Sequence, residues 1–261
     1  VAGRRCAQPS WGFAGDNPEA PFSTKLRPDY DVGMDNARKT PRRVGILGGM
    51  GPAAAIDLQA KILAATPARG DADHLPVVVW NVPQVPDRVA AVRGEGPSPL
   101  PAMQEGARGL EAAGCEAFAI ACNTAYHWAD ALATSVRIPL LHIADAAMDA
   151  LARLPAPPVR VGLLATRGTL AAAFYGERLA QRGFRWLVPT GDEQARFVDE
   201  AIARVKAGDV AGARAPFEAA ARALAGRGAE VILLACTELP LAAEGVDCPV
   251  PVLDASRALA E

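Results

Sequence analysis

The chain has 261 residues and a net charge of −2; hydrophobic residues make up 51% of it and aromatic residues only 5%. This suffices for one large or two moderate domains with cores of Ala, Val, Leu and Ile, and favours α/β or all-α architecture over a β-sandwich. Without a long basic run the charge excludes the footprint of nucleic-acid or membrane-surface binding, and no stretch reaches the length of a membrane span.

Residues 1–41 carry Pro9, Pro18, Pro21 and Pro28 and charges of both signs without apolar periodicity, and are expected to form a disordered extension. They lack the charged-then-apolar pattern of a signal peptide, and Met34 within them is a candidate natural start. The fold is expected to begin at Arg43. Residues 44–52, VGILGGMGP, read as a strand and a glycine-rich turn, with Pro52 suited to the first turn of a helix over 53–66. Asp57 and Lys61 form an i,i+4 pair on that helix's expected exposed face. Residues 77–80 read as a second buried strand, followed by a proline-broken loop over 81–88. A helix over 101–113 stops at Gly114.

Residues 117–121 are a short apolar run that ends abruptly at Cys122-Asn123-Thr124. This reads as a buried parallel strand delivering a thiol to its carboxyl end, the edge where open α/β sheets place ligands. Another short strand is expected over 138–146, leading into a helix. From Val161 the pattern restarts. VGLLATRGT parallels VGILGGMGP, EVILLACTE parallels EAFAIACNT, and VPVLDASRA parallels IPLLHIADA. Val44 to Cys122 spans 78 positions and Val161 to Cys236 spans 75. The chain is therefore an internal duplication of a βαβ-type half, which would set Cys122 and Cys236 at equivalent places on opposite walls of one cleft.

Two opposed thiols suit the removal of a proton from one face of a carbon acid and its return to the other, one sulfur as thiolate and one as thiol. Such chemistry needs no cofactor if fixed donors stabilise the carbanion-like transition state; Asn123, Thr124 and Thr237 lie beside the thiols. A single buried cysteine is more often a core residue. Two at repeat-equivalent strand ends, each followed by polar residues, favour function. Cys115 and Cys248 fall away from that edge and read as structural, and Cys6 lies in the extension. The odd count of five cysteines without C-x-x-C spacing points to reduced thiols in the cytoplasm. Gly48 to Pro52 could cradle a small anion but matches neither a dinucleotide fingerprint nor a P-loop. His74, His127 and His142 show no metal-ligand spacing, and His127 reads as structural rather than as an activator of a thiol.

GGMGP, PQVPDR, ACNTA, LLATRGT, VKAG and ACTE, in this order from Arg43 to the C-terminus, resemble the cofactor-independent aspartate/glutamate racemases. The resemblance implies two pseudo-symmetric α/β domains, each a mostly parallel sheet flanked by helices, with the active site in the cleft between them. The expected division is 42–137 with 249–261, and 138–248. It implies Cys122 and Cys236 as the two acid/base residues, and Asn123, Thr124, Thr166, Thr237 and the Met50-Gly51 turn as holders of the substrate's α-carboxylate and amino group. It places Arg88 and Lys206 near a side-chain carboxylate, and implies a small amino-acid substrate, no cofactor or metal, and a homodimer. Two departures stand out. Tyr126 takes a position where the family commonly has His, and the chain stops at Glu261, where the family usually continues. Left open are a cysteine-dependent isomerase or decarboxylase of a small dicarboxylate, and a non-catalytic small-molecule binding protein on the same scaffold.

Overall fold

In the computed structural model, residues 42–261 are described; the expected extension, with Cys6, lies outside them. The first half runs β1 (Val44–Gly48), α1 (Pro52–Ala65), β2 (Val77–Asn81), α2 (Arg88–Val92), α3 (Leu100–Ala112) and β3 (Ala117–Ile120). A 3-10 turn over Thr124–Trp128 then leads into α4 (Ala129–Ala133) and α5 (Ile143–Ala152). The second half runs β4 (Arg160–Ala165), α6 (Arg167–Ala171), α7 (Phe174–Gln181), β5 (Arg185–Leu187) and α8 (Gly191–Glu193). A π-helical turn, Gln194–Asp199, continues into α9 (Glu200–Lys206), followed by α10 (Val210–Gly226), β6 (Val231–Ala235), α11 (Leu239–Ala243), β7 (Val252–Asp254) and α12 (Ala255–Ala260).

The strands form two parallel sheets, ordered β2-β1-β3 and β5-β4-β6-β7. β6 is buried along its whole length. Continuous apolar strands such as VILLA are what a parallel sheet covered on both faces selects. The two orders correspond: β1 and β4 are central, and β3 and β6 carry the cysteine-tipped ends. The fold is thus α/β with two parallel sheets flanked by helices.

The strand expected over 138–146 contracts to an isolated bridge between Leu140 and Phe118. The Phe118 backbone N–H donates to Pro139 O, and Leu141 N–H donates to Phe118 O. Beyond that point His142 turns the chain into α5, its Nδ1 accepting from the Ala144 N–H at 3.2 Å. The next ladder donor, the Ile120 N–H, would be left unpaired in the core. Tyr126 supplies the partner: its hydroxyl accepts from Ile120 N at 3.0 Å and donates to Leu141 O at 2.9 Å. A side chain thereby replaces one rung of a strand that has ended.

The segments at 138–141 and 252–260 cross between the halves. Leu140 bridges to β3 of the first sheet. β7 pairs with β6 of the second, while α12 packs on α1 and α5. Asp57 and Lys61 also sit differently from the exposed pair expected. Their side chains are only 17% and 14% exposed, and Lys61 is shared with Asp254 at the end of β7, at 2.6 Å.

Candidate active site

The turn after β1 is built on Gly49. Its φ of +91° suits glycine, and a Cβ there would lie 2.3 Å from Val82 O. This close approach sets the carbonyl of Met50 against the loop that follows β2. Arg88, the first residue of α2, uses its Nη2 to donate to Met50 O at 3.0 Å. Its Nη1 donates to Val85 O at 3.1 Å and Pro86 O at 3.0 Å. The proline-broken loop is therefore folded around the guanidinium. Its Nε is buried and has no hydrogen-bond partner among the described residues.

β3 and β6 bring Cys122 and Cys236 to one narrow cavity. Met50, Arg88, Asn123, Thr124, Thr166, Lys206 and Thr237 line the same cavity. Gly51, also singled out from the sequence, is absent from that lining; its Cβ position lies 3.9 Å from Glu238 Oε1, on the same edge. Cys115 and Cys248 lie elsewhere, and all four described cysteines are free. His127 is exposed and stacks edge-on against Trp128, away from the lining. Among the described residues no His/Cys/Asp/Glu group could hold a metal ion, and no helix is long and apolar enough to cross a membrane.

The polar walls are held from behind. Asn123 Oδ1 accepts from the Tyr175 hydroxyl at 2.6 Å, while Asn123 Nδ2 is buried without a hydrogen-bond partner among the described residues. Thr124 Oγ1 lies 2.8 Å from Thr166 Oγ1 and 3.0 Å from Thr169 Oγ1. Thr166 caps α6, accepting from the Thr169 N–H at 3.0 Å. Gly168 allows α6 to close on the first half, since a Cβ there would lie 2.8 Å from Thr124 Cγ2 and 3.2 Å from Val89 Cα. Unpaired buried donors on residues lining a cavity are rare enough to mark a place for oxygen-rich ligands.

Glu238 was not singled out from the sequence. It is 8% exposed and lines the cavity. Its Oε2 accepts from Cys236 Sγ at 3.1 Å and from Thr237 Oγ1 at 3.2 Å. The available signal was an acid set inside the apolar run LLACTELPL, since an acid is seldom buried without a partner. Tyr175 and Asp87 were also missed, and Thr169 was read only as part of the turn after β4. Asp87 caps α2, accepting from the Ala90 N–H at 2.7 Å, and lines the cavity.

Burial pushes the Cys122 thiol up, against the pull of the Arg88 charge; nearby Glu238 adds to the rise. Cys236 is pushed well above the ordinary thiol value by burial and then by the Glu238 carboxylate, with Lys206 acting the other way. Each thiol therefore faces one cation from its surroundings, and both share Glu238. Arg88 and Lys206 form no ion pair among the described residues.

A family model described as Asp/Glu/Hydantoin racemase matches residues 47–261. A broad specificity amino-acid racemase of Bacillus subtilis is 25% identical over 84% of this chain and 95% of its own length. The structure of an aspartate racemase from Picrophilus torridus is 31% identical, with a TM-score of 0.74 over 84% of this chain and 91% of that one. A glutamate racemase isoform from Bacillus anthracis shares the fold at 16% identity, with a TM-score of 0.59 over 85% of this chain and 80% of that one. The chain belongs to the Asp/Glu/hydantoin racemase family. It is a racemase, and so an isomerase.

Proposed function

We propose that the protein racemises a small amino acid, aspartate and/or glutamate, without a cofactor, by proton transfer between Cys122 and Cys236 at Cα. The observation that carries this reading is the meeting of both thiols in one cavity with two cations, Arg88 and Lys206, that form no ion pair among the described residues. One thiolate takes the Cα proton and becomes a thiol. The opposite thiol gives its proton to the other face and becomes the thiolate, so charge and protons balance. Arg88 favours the thiolate at Cys122, and Lys206 favours it at Cys236. The donors of Asn123 and of the threonines Thr124, Thr166 and Thr237, with the Met50-Gly51 turn, hold the α-carboxylate and the charge that develops on it. Asp87 and Glu238 offer carboxylates to the substrate ammonium. Arg88 and Lys206 take the side-chain carboxylate. We place this chemistry in a homodimer in the cytoplasm; the free thiols of the four described cysteines suit a reducing compartment.

The likeness to a broad specificity racemase supports a second reading, in which neutral amino acids are also accepted. Chiral chromatography after incubation with L-aspartate, L-glutamate, L-asparagine and L-alanine separates the two. The dicarboxylate reading requires D-aspartate or D-glutamate to form far faster than D-asparagine or D-alanine. Equal rates would favour the broad reading, and no inversion of any of the four would contradict both.

A further inference from the structure

A second cavity lies outside the site described above. It is a groove of about 500 Å³ against α7 and β5. Its rim is apolar and exposed: Trp186 is 41% and Val188 38% accessible. Its floor is buried, with Tyr175 and Thr169 each 1% exposed and Leu170 half-buried beside them. Glu177, in the first turn of α7, brings a carboxylate to the lining and forms no ion pair among the described residues. The indole of Trp186, which packs over Gly176, and the exposed carboxylate of Glu177 line one groove; an aromatic ring and a carboxylate in one lining can recognise an ammonium group carried on an apolar body.

The floor is also the back wall of the first cavity. The Tyr175 hydroxyl donates to Asn123 Oδ1 at 2.6 Å, and Thr169 Oγ1 lies 3.0 Å from the hydroxyl oxygens of both Thr124 and Thr166. A ligand seated on Tyr175 and Thr169 thus touches the side chains that orient the polar wall around Cys122. A second copy of the chain fits this face less well: an isologous interface over a groove needs a knob on the same face, and the exposed large apolar residues here, Trp186 and Val188, are the groove's own walls.

We propose that this groove binds a primary amine bearing an aromatic or branched apolar side chain, and that its occupancy tunes the racemase through Tyr175 and Thr169. The test uses the full chain and phenethylamine as probe, titrated by calorimetry. Phenylacetate keeps the ring without the cation, and ethylamine keeps the cation without the ring. Saturable binding of phenethylamine is expected, with phenylacetate and ethylamine at least about tenfold weaker. Trp186→Ala and Glu177→Gln should each weaken the amine about tenfold or more. Cys122→Ser should leave binding unchanged, and the amine should alter kcat of the native enzyme without competing with its substrate. Absence of saturable binding would overturn the proposal. So would equal binding of phenylacetate, loss of binding in Cys122→Ser, or simple competition with substrate. Dissociation of a dimer by Trp186→Ala in sedimentation, without amine binding to the native chain, would instead assign the groove to an interface between copies.

Discussion

Replacing Tyr126 by Phe removes one oxygen and little else, so its cost can be worked from the structure. The hydroxyl is the partner of the Ile120 N–H at 3.0 Å and of the Leu141 carbonyl at 2.9 Å, at a side chain 2% exposed. Both groups lie where β3 has lost its neighbouring strand, and Phe offers neither a substitute. The Ile120 N–H is buried, whereas Leu141 is 40% exposed and its carbonyl can turn to water, so Tyr126→Phe should lose about 1–3 kcal/mol, the cost of one buried backbone group left without a partner. In a folded unit of roughly 150–250 residues each kcal/mol moves Tm by about 2–4 °C, giving an expected fall of roughly 2–12 °C by calorimetry or circular dichroism. Hydrogen exchange should localise the loss, with the Ile120 amide exchanging faster in the variant. A change in Tm of less than about 2 °C, with Ile120 still protected, would refute the argument that a side chain completes the ladder.

Cys122→Ser and Cys236→Ser should each lower the racemisation rate by about 10²–10⁴-fold, the ordinary contribution of a positioned acid or base; a single variant at the native rate in chiral chromatography would remove that cysteine from the mechanism. Arg88→Ala should raise KM for the favoured dicarboxylate by roughly tenfold or more, with less effect on a neutral amino acid; an equal effect on both would place Arg88 away from the side-chain carboxylate. Because burial raises both thiols, racemisation should rise as pH moves up from neutral, and a rate that falls over that range would contradict the thiolate requirement. Burial, and then Arg178, lowers His142 from 6.5 to about 4, and as a neutral ring it accepts from the Ala144 N–H. The unfolded chain therefore takes up this proton first, so stability present above pH 6.5 should be lost as pH falls towards about 4. Thermal melts should show this slope weakened in His142→Asn, and an unchanged slope would assign the acid loss to other groups.

Much of the scaffold was legible because strand-length apolar runs ended in marked residues. VGILGG, EAFAIACNT and EVILLACTE each gave a strand and the polar edge that follows it, and the repeat paired them correctly. The strand over 138–146 misled because IPLLHI is apolar enough for a strand, whereas His142 caps a helix there with its own ring nitrogen. Asp57 and Lys61 had the spacing of a surface pair; their burial depends on Asp254, almost 200 positions away, which no local pattern reveals. Arg88 was singled out, but its three carbonyl partners and buried Nε depend on how the loop folds around it. Glu238, Thr169 and Tyr175 are the plainest omissions. Glu238 bonds the thiol two positions before it, but that its carboxylate folds back into the cavity is a matter of side-chain placement; Thr169 and Tyr175 act through the opposite half's Thr124 and Asn123, which only tertiary structure brings close.

The two-base claim is tested most directly by following L-aspartate and L-glutamate in D₂O by proton NMR with chiral separation, over the first few per cent of reaction. If Cys122 and Cys236 act on opposite faces, the D-isomer that forms carries solvent deuterium while the remaining L-isomer keeps its Cα proton. Exchange of the L-isomer as fast as inversion, or a D-isomer that retains the substrate's own proton, would mean that one group serves both faces and would contradict the mechanism.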